Sequence, residues 1–334
     1  MKHLFLTSLI LSTTFTLLFT SCNGGGESSN TSKKAEVKMA EAPSFNEDSA
    51  YYFIEKQVAF GPRVPNTKAH QECGDYLIEQ LKEYGAEVTV QAFEATAYNG
   101  AVLPSRNIIG AINPEAKKRI IVAAHWDTRP YADQGEERQQ EPIDGANDGG
   151  SGVGVILELA RVMHTDSLKP NVGVDFILFD SEDYGRPEFE KEYTDGDSRY
   201  CLGSEYWASN KHKRGYHAYY GILLDMVGAK GAVFPKEGTS MELASKVVKK
   251  IWTTGQKLGY GQYFIDQEVG GIFDDHYYVN TKARIPMADI IHLDPTGTDT
   301  FFEHWHTHED NLETIDKASL KAVGQTVLQV LYNE

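Results

Sequence analysis

Five short clusters hold the residues that could do chemistry in this sequence: His125-Trp126-Asp127, Asp144 to Gly150, Asp180 to Asp183, Asp225, and His304 to Asp310. Carboxylate and imidazole side chains are the ordinary ligands of a divalent cation such as Zn²⁺. Any one cluster says little. A histidine and an aspartate two apart often lie on a surface, and an aspartate before a helix is often only its cap. An adjacent acid pair is commonly just solvated. The sequence carries no GxSxG elbow, no Cys–His nucleophile pattern and no CxxC spacing, so covalent catalysis and a zinc finger have no support.

Three of the clusters directly follow an apolar run. Ile120–Ala124 is continuously apolar and runs into His125-Trp126-Asp127. Val172–Phe179 runs into Asp180-Ser181-Glu182-Asp183, and Tyr219–Leu224 into Asp225. Such runs are expected of strands covered on both faces. In open α/β sheets the carboxyl ends of the strands form the ligand-binding edge. Several acids delivered to one edge would repel one another unless a cation compensated them. Helical patterns are expected at 45–60, 67–84, 149–164, 200–210, 240–258 and 317–332, and further β segments at 87–93, 107–112 and 288–293. The expected class is therefore α/β: a three-layer sandwich with a mixed, mostly parallel central sheet, helices on both faces, and antiparallel strands at one side.

The order HxD, then GANDGGSGV, then an acid pair after FILFD, then a strand-ending aspartate, then HWHTHEDN resembles the co-catalytic zinc aminopeptidase family. Within that family the chain is most similar to the animal-type glutaminyl cyclases and their bacterial relatives, over nearly all of residues 45–334. The resemblance implies one zinc held by Asp148, Asp183 and His306, with Glu182 as general acid and base. It also implies that His125 and Asp225 occupy the positions that hold a second zinc in the aminopeptidases. The implied activity is a glutaminyl-peptide cyclotransferase, which closes N-terminal Gln of peptides or proteins to pyroglutamate with release of ammonia. A zinc aminopeptidase is the alternative.

Two features favour the cyclase. Asp274 adds a carboxylate before Asp275-His276 and matches a cyclase residue of the catalytic network. Trp305, immediately before His306, matches an aromatic wall, to which Phe301 is expected to add. Two features depart from the animal cyclases. Asp183 stands where they have Glu, one methylene longer. No Trp occurs in Tyr184–Phe189, so Trp126 is expected to fill part of that pocket, with His125 beside it, while Trp207 is expected in a helix core.

The remaining sequence bounds the setting. Leu4–Phe19 is an apolar run after Lys2 and ends at Thr20-Ser21-Cys22. It is short for a transmembrane helix and resembles a lipoprotein signal over residues 1–22, with the lipid on Cys22. Residues 23–43 are rich in Gly, Ser and Lys, as expected of a flexible tether. Residues 44–334 are expected to form a single catalytic domain. The expectation is thus an exported protein, periplasmic or membrane-anchored, touching the membrane only through its lipid, and monomeric. With 32 Lys+Arg against 48 Asp+Glu, nucleic acid is not an expected partner. Cys73 and Cys201 are the cysteines left after Cys22, and their sequence separation leaves pairing open.

Overall fold

Among the described residues, five of the seven α-helices, those starting at Gly150 and Leu202 excepted, begin where a polar side chain takes a free backbone N–H group of the first turn. Asn46 caps α1 (Glu47–Val58) by accepting from Ser49 N at 3.0 Å. Thr67 caps α2 (Lys68–Glu83), accepting from His70 N at 3.2 Å. Two long strands follow, β1 (Glu87–Thr96) and β2 (Val102–Ile112), then β3 (Arg119–His125), α3 (Gly150–Thr165), β4 (Gly173–Phe179), α4 (Leu202–Ser209) and β5 (Tyr220–Asp225). The chain then forms β6 (Phe234–Lys236), α5 (Gly238–Lys257), β7 (Phe264–Glu268), α6 (Asp275–Thr281), β8 (Met287–Ile291) and α7 (Lys317–Tyr332). The computed structural model describes residues 38–191, 199–296 and 301–334. The export stretch 1–22, its Cys22 and residues 23–37 of the expected tether lie outside the described residues. Residues 40–43 belong with the domain, because Ala40 and Pro43 hydrogen-bond to Asn333, Gln329 and Gln325. Among the described residues no helix is long and apolar enough to cross a membrane.

The central sheet has the order β1-β2-β4-β3-β5-β8. β3, β4, β5 and β8 are mutually parallel, whereas β2 pairs antiparallel with β1 and β4. The expected mixed sheet, with its antiparallel side formed by the early strands, is what the chain adopts. Side chains alternate across the sheet. Ile120, Val122, Ala124, Val174, Phe176, Leu178, Ile222 and Leu224 bury into one core with α1, α3, α5 and α7. Ile121, Ala123, Ile177, Phe179 and Leu223 bury into a second core with Trp207 of α4 and Val279 of α6. Both faces are thus covered, which is why these strands read as unbroken apolar runs; each Val, Ile, Leu or Phe side chain among them contributes roughly 1.5–3 kcal/mol by leaving water. The short β6, β7 and α6 escaped the sequence pattern, because three, five and seven residues are too few to show a period.

Two local features matter for the site. At Gly152 of α3 an added Cβ would meet Leu224 O at 2.3 Å, so the helix and β5 touch backbone to backbone. At the start of α5, the buried Glu237 carboxylate accepts from Thr239 N (2.6 Å), Ser240 N (2.7 Å) and Ile272 N (2.8 Å), with His276 Nε2 at 3.2 Å. It thereby pins loop 270–274 to the helix. Burial pushes this carboxyl up, but His276 and the backbone N–H groups outweigh it and pull it down to about 2. Its stabilising contribution is therefore present above the ordinary glutamate pKa and is lost as pH falls towards 2. Glu237→Ala is expected to cost about 2–4 kcal/mol in urea denaturation at neutral pH, with a smaller difference in acid. An equal difference at both pH values would contradict this account.

Candidate active site and metal centre

Because β3, β4 and β5 are parallel, their last residues share one edge of the sheet. His125 closes β3, Asp180 to Asp183 follow β4, and Asp225 closes β5. Two further carboxylates tie the incoming loops together. Asp127 accepts from Glu182 N (3.0 Å) and Asp183 N (3.1 Å), fixing the acid pair. Asp310 accepts from Asn147 N (2.8 Å) and Asp148 N (3.0 Å), fixing the loop before α3 to the segment that carries His306. Arg63 donates to the carbonyls of Asp144 and Gly145 in the same loop. The sharp turns are held in the left-handed region at Ser181, Met226 and His306, with φ of 55°, 49° and 55°. Such non-glycine residues cost on the order of 1–3 kcal/mol each and persist only where their surroundings over-determine them.

The expected ligand trio is assembled. Donor atoms of Asp148, Asp183 and His306 all lie within 4.8 Å of one another, and all three residues are buried. His306 Nε2 is 3.0 Å from Asp183 Oδ1 and 3.6 Å from Asp148 Oδ2. Asp183 Oδ2 is buried with no hydrogen-bond partner. Two buried carboxylates, an imidazole and an orphaned oxygen fit a zinc ion, with a position left for substrate. A second trio, His125, Asp148 and Asp225, is equally compact and shares Asp148 with the first. There His125 Nε2 lies 2.9 Å from Asp148 Oδ1 and 3.3 Å from Asp225 Oδ1.

The electrostatics follow from burial and crowding. Burial raises the Glu182 carboxyl well above the glutamate range; His125 opposes this, while Asp183, Asp274 and Asp275 add to it. Asp225 is pushed up to about 7, chiefly by burial; the adjacent His125 opposes the shift, and Asp274 and Asp148 reinforce it. Burial works against a charged His125, but the neighbouring carboxylates of Asp127, Asp148 and Asp225 overcome it and raise its pKa.

Next to the trio is a cavity of about 310 Å³ lined by Glu182, Tyr200, Asp225, Met226, Ile272, Phe273, Asp274, Ile291, Phe301 and Trp305, with Asp148 at its base. The Trp305 ring stacks on His306 at 3.8 Å and meets Phe301 at 4.3 Å, so the expected aromatic wall is present. A larger cavity of about 680 Å³ lies on the other side of Phe301 but contains none of the ligand trio or Glu182, so the smaller one is the candidate active site.

Two expected pocket residues are placed elsewhere. Trp126 is fully buried beneath α2, stacked on His70 at 4.2 Å, and its indole N–H donates to Arg106 O at 3.3 Å. Side chains alternate along the chain, so the residue after His125 points into the large core and away from the cleft. His125 itself is 2% exposed and packs behind Asp148 and Asp225 rather than against the cavity. Tyr200 supplies the missing aromatic; its ring packs so closely on Gly185 that a Cβ there would clash at 2.2 Å. Tyr200, Met226, Ile272 and Phe273 carry no short-range sequence signal, since only the fold brings them to Glu182. Trp207 is in the helix core, as expected. Cys73 and Cys201 are both free buried thiols, and Cys201 Sγ lies 3.1 Å from Glu182 Oε1.

Comparison with known proteins places this geometry. A solved glutaminyl cyclase of Tannerella forsythia is 53% identical over 87% of this chain and 100% of its own, with a TM-score of 0.84. A solved Zn-dependent exopeptidase of Parabacteroides distasonis is 51% identical over 88% of this chain and 100% of its own, with a TM-score of 0.85. Aminopeptidase YwaD of Bacillus subtilis is 29% identical over 290 residues, or 81% of this chain, which spans about half of that relative, 54% of its length. The sequence profile of Peptidase family M28 matches residues 107–331, and the chain belongs to that family.

Proposed function

We propose that this protein is a glutaminyl-peptide cyclotransferase acting on peptides with N-terminal Gln. The observation that carries this reading is the pairing of Glu182 with a second carboxylate, Asp274, in one aromatic-walled cavity beside the metal trio. Donor atoms of Glu182, Cys201 and Asp274 lie within 4.8 Å of one another. The likeness to the T. forsythia cyclase supports it.

A zinc held by Asp148, Asp183 and His306 would supply a Lewis acid that polarises the γ-carbonyl of the substrate glutamine. The chain's own residues do the rest. Trp305 and Phe301 hold the glutamine side chain curled, so that its α-nitrogen faces the γ-carbon; for an intramolecular closure this positioning is a large share of the catalysis. The α-nitrogen attacks and forms the ring bond while Glu182 accepts a proton from it. Glu182 then delivers that proton to the amide nitrogen as the bond from carbon to nitrogen breaks and ammonia leaves. A carboxyl with a raised pKa suits both halves of this exchange. Asp274 crowds Glu182, and Asp225 lines the same cavity. One zinc binds per chain in this proposal, with His125 and Asp225 packed against Asp148.

The aminopeptidase alternative uses the same trio and base to activate water. Mass spectrometry of a Gln-initiated and a Leu-initiated peptide separates the two. The expected result is loss of ammonia from the Gln peptide with its backbone intact and no cleavage of the Leu peptide. Chelation should abolish turnover and Zn²⁺ should restore it, with metal analysis giving one equivalent. Release of free leucine without cyclisation would overturn the assignment.

A further inference from the structure

The polar loop after β3 takes no part in the proton transfers above, yet it contains a fully buried arginine. Arg129 Nε and Nη2 grip the two oxygens of Asp133 at 3.0 and 2.8 Å. Arg129 Nη1 donates to the carbonyls of Asp183 and Gly185, both at 3.0 Å. Asp133 also accepts from Glu188 N at 3.0 Å. Removing an arginine and an aspartate from water costs several kcal/mol per ion, recovered only by geometry of this quality. An apolar pair would fill the space more simply, so its location calls for another explanation.

The location is the metal trio. Asp133 Oδ1 is 3.5 Å from His306 Nδ1, the ring atom opposite the one that faces Asp148 and Asp183. Nδ1 makes no hydrogen bond in this geometry, so Asp133 acts on it as a charge contact; a carboxylate behind a ligating imidazole favours the tautomer protonated on that side and restrains the ring. The neighbouring Gln134 N donates to His306 O at 3.2 Å, so the same loop holds both the ring and the strained backbone of that residue. At its other end Arg129 grips the backbone that carries Asp183. That grip matters because Asp183 is a short acid, whose carboxylate reaches the centre only if its backbone is kept close. Lysine could not serve here, since the planar guanidinium meets a carboxylate with two nitrogens and two carbonyls with the third.

We infer that Arg129 and Asp133 are positioning residues that set the orientation of His306 and the reach of Asp183 towards the metal. This rests on the assignment of the trio as the metal site. The test uses the full-length protein with Asp133→Asn and Arg129→Lys variants, each checked for folding by circular dichroism. Zinc affinity is measured by chelator competition, and coordination by the visible absorption of the Co²⁺-substituted protein. Both variants are expected to bind zinc about 10–100-fold more weakly, with an altered Co²⁺ spectrum and unchanged secondary structure. If Asp133→Asn does not fold, Arg129→Lys decides, since it keeps the buried charge and loses the fork. Folded variants with native affinity and spectrum overturn the inference alone. If neither variant folds, the pair is a core element of the fold and the inference also falls. Failure of the unaltered protein to bind zinc would overturn the trio, and this inference with it.

Discussion

Glu182→Gln is expected to cut cyclisation by about 10²–10⁴-fold while zinc remains bound. The substitution is isosteric and lies outside the ligand trio. The backbone N–H of residue 182 is held by Asp127 and does not depend on the side-chain charge. What disappears is a carboxylate that faces the cavity, lies outside the Asp148–Asp183–His306 trio and has its proton affinity raised by burial and by Asp183, Asp274 and Asp275. The raised pKa also sets a sign. A base must be deprotonated to act, so kcat/KM should fall on the acid side at a higher pH than an ordinary glutamate would cause, and activity should rise with pH through that limb. Zinc analysis and steady-state kinetics on the same sample check this. A folded, zinc-loaded variant that keeps more than about a tenth of the native rate would remove Glu182 from its role.

Asp274 should show the second-largest loss, and it separates the two activities the scaffold could host. Asp274→Asn is expected to lower kcat for Gln peptides by about 10²-fold or more, again with zinc retained. Asp274 is 6% exposed, lines the cavity and caps α6 through Asp275 N, while its Oδ2 has no hydrogen-bond partner. A carboxylate oxygen of Asp274 lies within 4.8 Å of Glu182, so its charge acts directly on the base. Asn retains the cap, so the comparison with Asp274→Ala, which should cost a further 1 kcal/mol or so of stability, isolates charge from folding. Native activity in Asp274→Asn would withdraw the main residue-level argument for cyclisation over peptide hydrolysis.

The parts of this molecule that could be read in advance are those governed by short-range rules. The buried strands announced themselves as unbroken apolar runs, and parallel strands place their ends together, so the convergence of His125, the 180–183 acids and Asp225 was legible from order, while the choice of Asp148, Asp183 and His306 as ligands came from the family resemblance. Asp127 and Asp310 stood in the same clusters but gave no sign that each would accept two backbone N–H groups, because that depends on which loops the fold brings face to face. Trp126 shows the same limit from the other side. Its neighbours in sequence pointed to the cleft, but alternation along the chain sends it into the core. Tyr200 supplies the aromatic surface instead, from a segment 17 residues beyond Asp183 that local pattern does not connect to the site.

The contact at Gly152 has a consequence for how such a site can change. With α3 resting directly on the β5 backbone, Asp148 and Asp225 are anchored to one rigid block. The opposite bank of the cleft is built from connecting segments, Ile272 to Asp274 and Phe301 to Trp305, and Glu237 ties the first of them to α5. Substitution at Ile272, Phe273 or Phe301 can therefore reshape what enters, while Asp274 and Trp305 on the same bank stay beside the base and stacked on His306. Chemistry is inherited with the block and selectivity is rewritten on the bank, which gives a physical reason for peptide-bond hydrolysis and ring closure to recur as neighbours on a single ancestral frame.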